Sequence, residues 1–487
     1  MAMVFPTARI LAECVSFLTR RKSGDSEGVQ TLNILPVHFN ITNQGSSPRP
    51  DSLHLVTYPK ELANDAFFFW LNAGMGISGR HAEYILRRLD LGDVLEITRN
   101  PHDSLLTVSP GALGEKLVVR RRIAQLLNGG DGEKLNPSVL HDYTCGRLSV
   151  EAEDVFLYPS GMSAIWHAHY LTTCLYPGLK VACFGFLYLD SLEVYKNWGE
   201  GIIPYFDDHD TNLRELSRNV PKISALFAEL PSNPTLSSPD LAEIRKIADQ
   251  HGFLVIVDET VGNFVNTDIL QYADVVCTSL SKLFSGSANV LGGSLVINPN
   301  SRHYESIRDH FVGTFMDDFY SEDAVVMEFN SRDFVSRVHT INANAMAVAN
   351  FLRSRSLSFQ TQPSCATPAV VKDVLYPQWV TRENYDICRR PSADSNNFGY
   401  LLSITFVSVD ASRAFYDALQ CVKAPTIGTN FTLAIPYAVL AHHRELEAVK
   451  KYGIDETLVR LSVGMEELNV IMGYIQKALE AAEKTLD

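Results

Sequence analysis

The sequence predicts an α/β protein in which a large domain on a mostly parallel sheet is followed by a smaller C-terminal α+β domain. Three observations carry that expectation. Short branched runs, "LKVACFGF", "ISALFAELP", "FLVIVDET" and "ADVVCTSLS", follow one another between residues 179 and 281. Polar segments with helical spacing, such as "PDLAEIRKIADQHG", separate them. Strands apolar on both faces with helical crossovers imply a parallel sheet covered on both sides. After "GGSLVINP" the pattern turns to successive helices, and from about residue 397 strand-like "FGYLLSITFV" alternates with helical segments up to the terminal "NVIMGYIQKALEAAEKTL".

Taken in order, residues 1–105 read as an N-terminal arm or extension. It is irregular at "NQGSSPRPDS" and "NPHDSLLTVSPGA" and more structured in "AFFFWLNAGMGISGRHAEYILRRLDLGDVLE". Residues 106–300 read as the α/β domain: "EKLVVRRRIAQLL" has helical spacing, "DVFLYP" is a short strand, and "GMSAIWHAHYLTTCLY" is a helix opening on a glycine. Residues 301–487 form the C-terminal α+β domain, and no repeat recurs at a fixed period. A chain of 487 residues, 46% of them apolar, has ample material for the cores of two or three domains.

A formal net charge of −14 argues against a nucleic-acid partner, which is usually met by clustered Lys and Arg. "RRR" at Arg120 to Arg122 reads as a solvated helix face. The eight cysteines form no CxxC and no regular spacing, so we expect reduced, mostly buried thiols rather than a disulfide framework or a zinc site. Arg9 and Glu13 interrupt the apolar N-terminal stretch, which reads poorly as a signal peptide. With no uncharged apolar run of about 18 residues, the expectation is a cytoplasmic protein without a membrane partner.

In open α/β sheets ligands gather outside the carboxyl ends of the strands. Three strand-like runs here end near polar groups: Asp258 in "FLVIVDET", Lys282 after "ADVVCTSLS" and Asn233 after "ISALFAELP". A partly desolvated lysine is a competent imine-forming nucleophile. Pyridoxal phosphate requires such a lysine together with an acid that keeps its ring nitrogen protonated, a part Asp258 suits. Taken singly, Lys282 also reads as a surface lysine and Asp258 as a helix cap. A third element joins them. "YPSGMSAI" sets Ser160, Gly161 and Met162 at a strand-to-helix turn, where free N–H groups attract an anion, and Ser279 and Ser281 offer hydroxyls from the lysine segment.

The motifs "YPSGMSAI", "ELPSNPTL", "VIVDET", "SLSKLFSGSANVLGG" and "VRLSVGMEE", in that order, resemble the Cys/Met-metabolism family of pyridoxal-phosphate enzymes. "FFFWLNAGMGISGRHAEY" and "APTIGTNFTLAIPYAVLAHH" resemble its fungal cystathionine γ-synthase branch. The resemblance covers roughly residues 65 to 475 and implies an aspartate-aminotransferase-like, fold type I large domain. It implies that Lys282 forms the imine and shuttles protons, that Asp258 pairs with the pyridinium nitrogen, and that Asn233 lies near the phenolic oxygen. Ser160, Gly161, Met162, Ser279 and Ser281 would surround the phosphate. Tyr188 would stack on the ring and act with Lys282, Arg460 would grip the substrate carboxylate, and Thr426 would stand beside the lysine.

The implied reaction is γ-replacement on an O-acyl-L-homoserine, with cysteine as the second, nucleophilic substrate and cystathionine as product. The alternatives are a carbon or amine nucleophile in a specialised fungal pathway, a γ-elimination lyase, and a non-catalytic member of the fold. The family also implies a homodimer or homotetramer with active sites at a subunit interface. One departure stands out: where relatives carry Tyr-x-Arg, contributed to the neighbouring subunit's phosphate, this chain has "HDSLLTVS". Tyr143 and Arg147 lie on the wrong side of "RRRIAQLL" to replace it.

Other signals compete less well. "GMGISG", Gly74 to Gly79, matches a dinucleotide fingerprint literally, with Glu96 at the distance of its acid, but no βαβ unit follows and a glycine-rich turn is the expected reading. His167 and His169, and His442 and His443, are spaced so that they do not share a helix face, so no metal site is expected. Ser163 lacks the second glycine of a nucleophile elbow.

Overall fold

A computed structural model describes residues 1–23, 34–42, 51–98, 112–130, 148–207, 209–359, 369–391 and 397–486. Its first sheet lies where the sequence suggested largely irregular chain. Strands β1 (Ala2–Phe5), β2 (Leu35–Thr42), β3 (Asp51–Thr57) and β4 (Val94–Thr98) pair antiparallel in the order β1-β3-β2-β4. Pro, Gly and Ser in the intervening stretches masked these strands. Their order is also non-sequential, so the pairing is a tertiary property. Helices Ala8–Ser23 and Ala63–Ala73 supply Phe17, Leu18 and Phe69 to a core with Phe5 and Val56. Trp166 and Trp198 of the following domain enter the same core, and Trp198 stacks on Phe17 with ring centroids 4.8 Å apart.

The central sheet contains β5 (Val155–Tyr158), β6 (Lys180–Phe184), β7 (Ile202–Tyr205), β8 (Ile223–Glu229), β9 (Leu254–Asp258), β10 (Val275–Ser279) and β11 (Gly293–Ile297). Their order is β5-β11-β10-β9-β8-β6-β7, with β11 antiparallel to both neighbours and the other pairings parallel. All seven residues of β8 are buried, as an apolar run covered on both faces requires. Alternate residues feed two cores: Leu226, Val255, Val257 and Val276 on one face, Phe227, Leu254, Ile256 and Cys277 on the other. The ends of β6, β8, β9 and β10 share one rim as a consequence.

Helices Tyr304–Thr314, Ser321–Asn330 and Phe334–Ser354 occupy the expected helical stretch. A third sheet follows, built from β12 (Val371–Leu375), β13 (Leu401–Phe406), β14 (Val422–Lys423), β15 (Leu433–Pro436) and β16 (Val459–Ser462) in the order β12-β13-β16-β15-β14. Helices Val409–Ala418 and Leu468–Glu483 contribute Phe415, Ile471 and Ile475 to its core with Leu402 and Leu461.

The reading of Arg120 to Arg122 as a solvated face needs correction. Arg121 is exposed, but Arg120 Nε donates to Ala152 O at 2.7 Å and Arg122 pairs with Glu328 at 2.9 Å. These two arginines tie helix Ala112–Leu127 to its neighbours. Of the described cysteines, Cys14, Cys183, Cys277 and Cys388 are buried and free, Cys421 is half-buried, and Cys174 is exposed. Among the described residues, no helix is long and apolar enough to cross a membrane.

Candidate active site

Lys282 follows β10 on a segment folded back against β11. Lys282 N–H donates to Ser279 O at 3.3 Å, and Ser281 Oγ accepts from Gly292 N–H at 2.9 Å and donates to Gly292 O at 3.2 Å. Gly293 is required by close approach, since a Cβ there would lie 2.1 Å from Ser160 O, whereas a Cβ on Gly292 would clash only with the flexible Met327 Cε at 2.6 Å. Two wall segments, the Ser160 turn and the lysine loop, therefore meet without space for a side chain between them.

The amine of Lys282 enters a cavity of about 240 Å³ and donates to Thr426 Oγ1 at 3.0 Å. Desolvation, reinforced by the Arg460 guanidinium and opposed by Asp258, pushes it down to about 8 from 10.5. Asp258, the last residue of β9, accepts Thr260 N–H on Oδ1 at 2.8 Å. Desolvation raises its pKa, while the Thr260 hydrogen bonds and then Lys282 pull it down.

Arg460 lies on β16 and is 4% exposed. Its Nη1 donates to Asn233 Oδ1 at 3.0 Å, and Nη2 donates to Pro425 O at 2.5 Å and Thr426 O at 3.2 Å. The guanidinium stands 5.0 Å from the Tyr437 ring centroid, and desolvation pushes it down to about 10. A planar cation held on three sides keeps its remaining donors in a fixed direction.

At the opposite end, Ser160 caps helix Gly161–Leu175 by accepting Ser163 N–H at 3.1 Å, and its hydroxyl donates to Gly74 O at 2.9 Å. A Cβ on Gly161 would lie 2.6 Å from Ser279 Cβ and 2.9 Å from its Oγ. The serine hydroxyl thus lies against the positive end of the helix, a ready anion site. Tyr188 lines the cavity between β6 and helix Leu189–Asn197, 41% exposed, its hydroxyl donating to Asp190 Oδ2 at 2.6 Å.

A family model described as "Cys/Met metabolism PLP-dependent enzyme" matches residues 146–480, and one described as "Fungal trans-sulfuration enzyme, N-terminal domain" matches residues 1–78. The chain belongs to the Cys/Met-metabolism family of pyridoxal-phosphate-dependent enzymes. Two cystathionine gamma-synthase-like enzymes of Amanita muscaria are 39% and 37% identical to it, each match covering 99% of this chain and 87% and 86% of theirs. A cystathionine gamma-synthase of Neurospora crassa is 32% identical over 99% of this chain and 87% of its own. Among solved structures, cystathionine gamma synthase from Xanthomonas oryzae pv. oryzae superposes with a TM-score of 0.60 at 21% identity, covering 76% of this chain and 86% of that one. This likeness places the fold in type I.

The cofactor of this family is pyridoxal phosphate. The residues present fit the cofactor. One cavity holds an amine with a lowered pKa, a carboxyl at the end of the neighbouring strand, and a glycine-built anion cradle opening a helix.

Of the residues singled out from sequence, Ser160, Gly161, Met162, Tyr188, Asn233, Asp258, Ser279, Ser281, Lys282 and Arg460 line the cavity, and Thr426 holds the lysine. Three have partners the sequence did not indicate. Ser160 and Ser281 spend hydroxyl hydrogen bonds on Gly74 O and Gly292, and Asn233 Oδ1 is taken by Arg460. The stretch "HDSLLTVS", Tyr143 and Arg147 lie outside the described residues.

Sequence reasoning missed Glu229, Thr260 and Tyr437. Glu229 ends β8 at the same rim as Asp258, so the strand-end rule that found Asp258 would also have found it. Its carboxylate accepts Tyr188 N–H at 2.6 Å, and desolvation followed by the charge of Asp258 pushes it up to about 8. Thr260 Oγ1 accepts Ser279 N–H at 2.8 Å and so joins the ends of β9 and β10. Nothing in the local sequence marks Tyr437, because its contact with Arg460 is tertiary.

The competing signals resolve plainly. Gly74 ends helix Ala63–Ala73 in the left-handed region, and Ser78 caps helix Gly79–Asp90, so a helix rather than a strand precedes "GMGISG". His167 Nδ1 meets Ser163 O at 2.8 Å, His169 meets Trp198 O, and His442 pairs with Glu445 at 2.8 Å. No group of three metal-ligating side chains occurs among the described residues. Ser163 is fully buried, out of reach of a substrate.

Proposed function

We propose that the chain replaces the γ-substituent of an O-acyl-L-homoserine with a carbon or amine nucleophile in specialised metabolism. The observation that carries the γ-substitution site is the placing of Lys282, Asp258 and Arg460 in one cavity of about 240 Å³. One further observation favours a nucleophile other than cysteine. The relatives of higher identity are called cystathionine gamma-synthase-like, at 39% and 37%, against 32% for the Neurospora enzyme named for the synthase reaction.

When bound, pyridoxal phosphate supplies a ring that accepts the electron pair left at Cα when a proton departs. In the proposed site Ser279 and the N–H groups of Gly161 and Met162 would hold the phosphate, joined by Ser281 once its hydroxyl turns from Gly292 O. Asp258 would hold a proton on the ring nitrogen, and Asn233 and Tyr188, which line the same cavity, would hold the ring. Arg460 would bind the α-carboxylate and so orient the substrate's Cα–H bond toward the Lys282 amine. Lys282 would take the α proton and then a β proton, whose electron pair expels the γ group, and its ammonium would return protons to Cβ and Cα after the nucleophile, losing its own proton, has added at Cγ. Thr426, within hydrogen-bond reach of Nζ, steers the amine between these positions. We further propose a homodimer or homotetramer.

Cysteine as nucleophile, giving cystathionine, is the second reading, favoured by the Neurospora relative's name. The deciding experiment incubates the holoenzyme and Lys282→Ala with O-acetyl- and O-succinyl-homoserine and a panel of thiols, amines and enolisable carbon acids. Products are read by mass. A lysine-dependent adduct with a carbon or amine nucleophile, formed in preference to cystathionine, is expected. Preferential cystathionine formation sinks the first reading in favour of the second. Release of a keto acid without any adduct indicates γ-elimination, and no turnover at all indicates a non-catalytic protein.

A further inference from the structure

The proposed chemistry gives no part to the turn "GMGISGR", Gly74 to Arg80, yet this turn touches both walls of the anion cradle. On one side, Gly74 adopts φ +64°, and a Cβ there would lie 2.1 Å from Ser160 Oγ, 2.8 Å from Met162 Cβ and 2.9 Å from Ser163 N. Gly74 O accepts the hydroxyl of Ser160, whose lone pair caps the helix at Ser163 N–H. On the other side, Arg80 Nη2 donates to Asn289 O at 2.7 Å, while Nη1 pairs with Asp323 at 2.7 Å. Asn289 belongs to the loop between Lys282 and the Gly293 that abuts Ser160 O.

The turn itself is braced. The Trp70 indole lies over Gly76, where a Cβ would stand 2.4 Å from Nε1, and Met75 is 1% exposed. Met162 and Trp166, from the helix that opens on the cradle, pack into the N-terminal core. A displacement of this turn is therefore passed to the helix start by direct contact and to the lysine loop through Arg80. Convergent N–H donors lose strength steeply when their geometry is disturbed.

We propose that the turn Gly74 to Arg80 is a positioning element for the cofactor's phosphate, fixing the Ser160 turn against the lysine loop. The inference rests on the phosphate site proposed above. It assigns the N-terminal sheet region a part in cofactor affinity, exercised through Ser160 and Asn289 without contact to the cofactor.

The test compares wild type, Gly74→Ala, Arg80→Gln and Gly161→Ala as apo-proteins titrated with pyridoxal phosphate and with pyridoxal, which lacks the phosphate. The readout is the lysine-dependent visible band, below the melting temperature of each variant. Gly74→Ala is expected to weaken pyridoxal phosphate by about tenfold or more while moving pyridoxal by less than about twofold, and Arg80→Gln to show a smaller loss with the same selectivity. Equal loss for both aldehydes indicates general loosening and overturns the proposal, as does no loss for either. Should Gly74→Ala fail to fold, Arg80→Gln decides. A selective loss in Gly161→Ala without one in Gly74→Ala or Arg80→Gln sinks this inference alone. Absence of selectivity in Gly161→Ala sinks the phosphate site beneath it.

Discussion

Glu229 and Asp258 are register partners on the adjacent parallel strands β8 and β9, so two carboxyl groups end side by side beneath one cavity. Desolvation is the leading cause that raises both, and the charge of Asp258 raises Glu229 further. Lys282 favours the charged form of Asp258, whereas Asp258 disfavours that of Glu229. Glu229, pushed up to about 8, is the partner that keeps its proton toward neutral pH while accepting Tyr188 N–H.

Glu229→Gln, which keeps a neutral acceptor, should retain most activity, while Glu229→Ala, which leaves the Tyr188 N–H without it, should lower kcat/KM by about tenfold. The pH dependence of stability follows in sign. A carboxyl raised from 4.5 to about 8 keeps its proton in the folded chain after the unfolded chain has lost it. Its stabilisation is present in full below pH 4.5 and is lost as pH rises to about 8. Urea midpoints across this range should fall with pH in wild type and less steeply in Glu229→Gln; Glu259, also raised to about 8, and Asp318, raised to about 7, contribute to the residual slope. Identical slopes in both proteins would contradict this assignment.

The lowered amine of Lys282 sets the pH at which the apo-protein captures its cofactor. The rate of appearance of the visible band should rise with pH and reach half its limit near 8. Because the Arg460 charge is among the causes of that lowering, Arg460→Gln should move the midpoint in the alkaline direction. A midpoint that stays in place would show that desolvation alone sets it.

Arg460→Lys preserves charge but not the planar fork that reaches Asn233 Oδ1, Pro425 O and Thr426 O together. The KM for the amino-acid donor should rise on the order of a hundredfold with a smaller change in kcat, the pattern of lost binding rather than lost chemistry. Steady-state kinetics with a saturating nucleophile check it, and an unchanged KM would remove Arg460 from the carboxylate site.

Gly161→Ala would drive a methyl group into Ser279, 2.6 Å from its Cβ. The clash joins a helix start to a strand end, neither of which moves easily, so a loss of about 1–3 kcal/mol in apo-protein stability is expected. Thermal unfolding measures it, and an unaltered Tm would mean that the two segments can separate without cost.

The sequence by itself determined the strands β5, β6, β8, β9, β10 and β11, because residues buried on both faces must be apolar whatever their neighbours. It also placed Lys282, Asp258 and the Ser160 turn at one rim, since parallel strands bring their carboxyl ends together by construction. The motif order identified the family and its cofactor. Only the tertiary structure decided the antiparallel N-terminal sheet, whose strands pair out of sequence order across stretches rich in Gly, Pro and Ser. It alone set Tyr437 under Arg460, Glu229 beneath Tyr188, and Gly74 against Ser160. These contacts join residues 23, 41 and 86 positions apart, the last through the 2.9 Å bond of Ser160 to Gly74. No local pattern encodes them, because each depends on which surfaces remain to be buried once the sheets have formed.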